Sequence, residues 1–150
     1  MSTVGQRERI THNRIVAFFQ NELGYRYLGD WQDRAGNKNI ESSLLTAWLQ
    51  KRGISDALIA RVIRQLDMAA ALGEGKKLYY ANKDVYSLLR YGVKDKEGAG
   101  EQNQTVWLID WNNPEANDFA IAEEVSIKGE NKNARTWCCM STALPWASWS

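Results

Sequence analysis

His12 is the only histidine in the chain, and it sits in a polar N-terminal stretch. Read as a solvated residue at the start of a helix, it leaves no base for a Ser-His or Cys-His set and rules out a His-rich metal site. The two cysteines, Cys138 and Cys139, are adjacent, a spacing that gives neither a disulfide framework nor a CxxC metal half-site. GEGKKL, from Gly73 to Leu78, lacks the GxxxxGK[ST] spacing of a phosphate loop. It reads as a lysine-bearing turn, open either to a DNA backbone or simply to solvent. Arg7, Arg9 and Arg14 carry the same pair of readings, phosphate contact or soluble helix end. Two carboxylates stand out by position. Glu41 opens a helix, where the macrodipole favours an acid. Glu123 falls on the apolar parity of a strand, which suggests a bulge or a partly exposed strand end.

The elements that would position these groups follow from periodicity. Ile15, Phe18, Phe19 and Leu23 fall at helical spacing, with Thr11 as N-cap and Gly24 past the end. YRYLGDW reads as a short extended piece. A second helix is expected over about Ile40 to Arg52, and a third, long one after the cap residue Ser55, carrying Leu58, Ile59, Val62, Ile63 and Leu66. A fourth spans about Asn82 to Arg90 and is closed by Gly92. Strand signals then take over: Val93 to Lys96, QTVWLID, and DFAIAEEVSIK, in which Phe119, Ile121, Val125 and Ile127 alternate. Helices first and strands last give an α/β or α+β domain.

At 150 residues the chain has room for one sizeable core. A hydrophobic fraction of 44% and a net charge of +1 describe an ordinary soluble domain whose overall field does not select nucleic acid. No apolar run approaches the roughly 18 residues of a membrane span, and the N-terminus lacks the apolar core of a secretory signal. No membrane partner and a cytoplasmic location are therefore expected.

Residues 134–150, ARTWCCMSTALPWASWS, break with what precedes them. They hold three of the seven tryptophans and both cysteines, with no aspartate, glutamate or lysine and no period of 2 or 3.6.

Four stretches resemble the start of type I restriction enzyme R subunits: NRIVAFFQNELGYRYLGDW, NKNIE, LYYANKDVYSLLRYGV and TVWLIDWNNPEANDFAIAEEVSIKGE. The similarity runs over residues from about 12 to 130, and the ANKDVYSLLRYGV and LIDW-to-IAEEVSIKGE blocks are specific as ordered text. It implies a restriction-endonuclease-like PD-(D/E)xK fold, here incomplete, with about four helices followed by a partial sheet. In such proteins the strand matching Phe119–Ile127 is followed by Arg-Pro-Asp, an apolar strand ending in Asn-Gly, and another ending in Glu-Leu-Lys. The Asp and Glu hold Mg²⁺ beside the scissile phosphate, and the Lys helps the attacking water. None of the three is in this sequence. The resemblance also makes Glu41 the helix-borne carboxylate placed near the metal, with Glu123 a weaker candidate to face the metal cleft. ATP belongs to the family's motor domains, not to any segment here. The implied partners are DNA and the methyltransferase and specificity subunits of the restriction complex.

The genetic code gives the tail a second reading. Trp and Met have one codon each and Cys two, so much of its DNA is determined. Shifted to begin at the third base of Asn133, the codons permit Arg-Pro-Asp, force Val across Trp137–Cys138 and Leu across Cys138–Cys139, and force Gly across Trp146–Ala147. The shifted text is Arg-Pro-Asp-x-Val-Leu-Tyr-Val-Asn-Gly-Ile-Ala-Leu-Gly-Val-Leu-Glu, and a TGA stop after Ser150 would extend it through Leu to the start of a Lys codon. The expected organisation is therefore residues 1–133 as the N-terminal part of an endonuclease domain and 134–150 as an out-of-frame tail without a native fold. Two other readings remain: a small helical DNA-binding or regulatory module built on WLQKRG-ISDALIARVIRQL, and a non-catalytic fragment that binds the methyltransferase–specificity core.

Overall fold

A computed structural model describes residues 3–36, 40–73, 75–127, 133–141 and 144–149, with backbone alone at 3–4, 126–127, 133–141 and 144–149. The order is α1 (Thr3–Asn21), β1 (Arg26–Asp30), α2 (Ser42–Lys51), α3 (Asp56–Ala70), α4 (Leu78–Tyr91), β2 (Val93–Asp95), β3 (Gln104–Val106), a 3-10 turn (Pro114–Ala116), β4 (Phe119–Ile127), β5 (Asn133–Ser141) and β6 (Leu144–Trp149). This is the mixed α and β architecture expected, with the helices leading. The chain divides into two compact units: Ile40–Asn117 forms the core of one, and the segments before and after it form the other.

In the Ile40–Asn117 unit the apolar stripe of α3 is the centre of the core. Leu58, Ile59, Val62 and Leu66 lie on one face and are buried, packed with Leu45, Trp48 and Leu49 of α2 and with Val93, Val106 and Leu108. The helix starts at Ser55, whose hydroxyl accepts the Leu58 N–H and donates to Glu97. The end of α2 is closed by two reversed bonds, Gly53 N–H to the Gln50 carbonyl and Ile54 N–H to the Leu49 carbonyl. That double closure requires a left-handed residue between helix and exit, and Gly53 supplies it at φ 80°. β2 and β3 form an antiparallel pair with Val93 opposite Val106, so both point into the core.

In the other unit the sheet order is β1-β4-β5-β6. β1 and β4 are parallel, β4 and β5 antiparallel. Val16 of α1 and Ile121 of β4 are buried together, with Phe19 and Tyr25 packed against them. The β1–β4 register slips by one residue between Tyr27 and Asp30, and Gly29 at φ 96° carries the extra residue.

Three boundaries differ from the sequence reading. α1 begins at Thr3, so Thr11 lies inside it and its hydroxyl donates to the Arg7 carbonyl one turn back, rather than capping. α4 begins at Leu78; the added first turn, Leu78-Tyr79-Tyr80, is exposed and gives no burial period to read. In QTVWLID only Gln104–Val106 pairs as strand, because its partner β2 is three residues long and begins at Val93, opposite Val106.

Candidate active site

Among the described residues of the α1 and β4 unit, titratable side chains from two other elements converge on Glu123 of β4. His12 of α1 donates its Nε2–H to Glu123 Oε2 at 2.7 Å, and Tyr27 of β1 donates its hydroxyl to Glu123 Oε1 at 2.7 Å. Each carboxylate oxygen thus has its own donor, which fixes the plane of the group. The strand is held at the same level, since Trp31 N–H donates to the Glu123 carbonyl at 2.8 Å. The next residue, Glu124, is the single described non-glycine with a left-handed backbone, at φ 48°. A cleft of about 460 Å³ opens over this group, lined also by Glu8, Arg9 and Asp30.

The local fold explains the convergence. His12, Val16 and Phe19 lie at i, i+4 and i+7, so the histidine shares the apolar face that packs α1 on the sheet. The one-residue slip at Gly29 lies between the Tyr27 and Asp30 pairings of β1 with β4. The expectation of a solvated histidine at a helix start is corrected: the His12 side chain is only 11% exposed and sits inside α1. Its place on the apolar face was visible in the sequence once the helix is extended toward Thr3. Tyr27 was not singled out, because an alternating strand gives a tyrosine no distinguishing signal.

Electrostatically the Tyr27 phenol is pushed up to about 12, first by its hydrogen bond to Glu123 and then by burial and the charges of Glu123 and Asp30. It stays protonated throughout the ordinary pH range, so it acts as a donor that orients the carboxylate and not as a base. The arrangement can hold a carboxylate rigidly and keep a proton beside it.

Glu41 lies in the Ile40–Asn117 unit. It is the residue before the first turn of α2 and is 5% exposed. Its carbonyl accepts the Leu45 N–H at 3.0 Å, but its carboxylate makes no capping bond to the helix. Burying a carboxylate is costly unless it is hydrogen-bonded or paired. Lys76 of the GEGKKL turn is tied into the fold, donating to the Ala69 carbonyl and pairing with Asp84. Cys138 and Cys139 lie where only backbone is described. Among the described residues no three His, Cys, Asp or Glu side chains gather into a metal site. Mg²⁺ takes one or two carboxylates beside water and phosphate oxygens, and Glu41 and Glu123 are both of that ligand type.

The family model for the type I restriction enzyme R protein N terminus matches residues 5–136. The chain belongs to that family. No curated protein and no solved structure matches it. As an R-protein N terminus it is a component of a restriction system, in a family of nucleases that work on DNA with other subunits. No helix among its described residues is long and apolar enough to cross a membrane.

Proposed function

We propose that this R-protein N terminus is the endonuclease end of the DNA-cleaving, ATP-dependent translocating subunit of a type I restriction-modification system, a cytoplasmic defence against foreign DNA. We further propose that the 150-residue polypeptide does not itself cut DNA. The observation that carries this is the coincidence at the tail. The family match ends at residue 136, beside the change of composition at residue 134, and codons for the tail permit Arg-Pro-Asp and, with an AGY codon at Ser150, the Glu of Glu-Leu-Lys in another frame. The strand pairing of β5 on β4 is no obstacle, because ladder bonds use backbone groups that every sequence has.

In this reading Glu41 is the metal-site carboxylate that remains, and Glu123 is a weaker second candidate. The intact site takes Mg²⁺ through Glu41 together with the Asp and Glu that this chain lacks. Metal-assisted hydrolysis needs carboxylates converging on the ion, which must hold water and offset charge on the phosphate. ATP serves motor domains outside these residues, and the methyltransferase and specificity subunits are the partners in the complex.

The experiment is nicking of supercoiled plasmid in Mg²⁺, with and without ATP, by this chain, by a frame-restored version, and by the frame-restored Glu41→Ala variant. Only the frame-restored protein should cut, and Glu41→Ala should weaken it. Mg²⁺-dependent nicking by the 150-residue chain that Glu41→Ala abolishes would overturn the proposal.

A further inference from the structure

The Ile40–Asn117 unit carries a second cleft, of about 350 Å³, that the nuclease reading does not use. Its walls hold three large exposed rings: Tyr91 at 66%, Trp107 at 46% and Trp111 at 46%. Both indoles are held in place although nearly half exposed. Trp111 Nε1–H donates to the Leu89 carbonyl at 2.9 Å. Trp107 leans on Gly92, where a Cβ would stand 3.5 Å from its Cε3. Two guanidinium groups border the rings. Arg52 is paired with Asp110 at 2.9 Å. Arg90 lies 5.3 Å from the Trp111 ring centroid and, among the described residues, has no carboxylate partner.

Three large exposed rings gathered around one cleft make the kind of surface patch that marks a binding groove. A cleft of this size admits one planar group, not the broad face of a folded partner. The Arg90 guanidinium beside the Trp111 ring, with no carboxylate partner among the described residues, calls for that planar group to carry an anion. A nucleobase on its phosphate has both features, and aromatic platforms with arginine are how proteins hold unpaired strands without reading their sequence.

We propose that the cleft of Tyr91, Trp107, Trp111 and Arg90 binds a nucleotide of single-stranded DNA, with the base on the rings and the phosphate on Arg90. A base inside a duplex is stacked on both faces and cannot reach the rings, so the site selects unpaired strands. It rests on this cleft alone: a chain that binds unpaired DNA without nicking plasmid leaves it standing.

The test is fluorescence anisotropy of labelled oligo-dT, a duplex of the same length and a labelled mononucleotide, titrated with the 150-residue chain. Oligo-dT should bind more tightly than both others. Trp107→Leu and Trp111→Leu should each weaken it at least about fivefold, while Trp111→Phe, which keeps a ring, should weaken it less. Arg90→Gln should reduce the log–log salt slope by about 0.7, and Arg90→Lys should restore it. Circular dichroism of every variant reports whether it is folded. Folded ring variants that bind oligo-dT like the parent overturn the proposal, as does duplex binding of equal strength. Equal affinity for the mononucleotide also overturns it, and would make the cleft a free-nucleotide pocket.

Discussion

Tyr27 and His12 reach the same carboxylate from two different elements, each donating to its own oxygen of Glu123. The phenol's proton is consequently held far above its ordinary value, to about 12.

That has a sign in stability. A group whose folded pKa is raised stabilises the fold fully below its unfolded value, here 10.0, and the contribution is lost as pH rises through about 12. Tyr27→Phe should therefore melt below the parent at pH 9, and the gap should close toward pH 12. In Glu123→Gln, absorbance at 295 nm should show one tyrosine ionising closer to 10. A gap independent of pH between 9 and 12 would disprove the coupling.

Asp110 works in the opposite direction. The Asn113 backbone N–H, then Arg52, hold its carboxyl below the usual range, so its stabilisation is present above the unfolded value of 3.8 and lost as pH falls below it. Asp110→Asn should lose stability to urea at pH 7 and differ little from the parent near pH 2. Equal losses at both pH values would count against the charge and favour a shape effect.

Gly92 leaves α4 at φ 76°, and a Cβ there would stand 2.6 Å from Thr105 Cγ2 and 3.0 Å from the Val106 carbonyl oxygen. Gly92→Ala should cost on the order of 1–3 kcal/mol in chemical denaturation. Adding Thr105→Ala should recover part of the loss by removing the methyl but not the backbone strain. Full recovery would mean that the left-handed backbone is not strained for alanine.

The nucleotide sequence provides a separate check on the tail. The gene should carry one missing or two extra bases between about codons 128 and 133, with Arg-Pro-Asp and Glu-Leu-Lys appearing once the frame is restored. In the protein, deleting 134–150 should leave the helical signal at 222 nm unchanged and improve solubility. A cooperative loss of helix on deletion would make the tail integral.

The helices of the Ile40–Asn117 unit were legible because their cues are local: the stripe of Leu58, Val62 and Leu66, the cap at Ser55, the stop at Gly53. The start of α1 was not, since Thr3 to Ile10 shows no apolar period and contains Gly5, a poor helix former. Glu123 was legible as an oddity of parity, and the bulge that accommodates it was anticipated, although the extra residue sits across the ladder at Gly29. Its partners were not, because His12 lies on a helix at the other end of the chain. Glu41 becomes a candidate through family likeness and its place at the start of α2. Its burial is a property of the assembled unit that no local pattern encodes.

The parallel pairing of Arg26 with Ala120 and Tyr27 with Ile121 orders events during synthesis. The whole of Ile40–Asn117 leaves the ribosome between the two strands, and its contacts are mostly between neighbours in sequence, such as α2 with α3 and α3 with α4. Such local contacts form quickly, whereas closing a long loop for a parallel ladder is slow. Until β4 arrives, β1 pairs with no strand on either side, and Tyr25 and Phe19 lack Ile121 to cover them. The nascent chain therefore carries a finished Ile40–Asn117 unit behind an unpaired, sticky N-terminal strand, and that strand is where a chaperone would be needed.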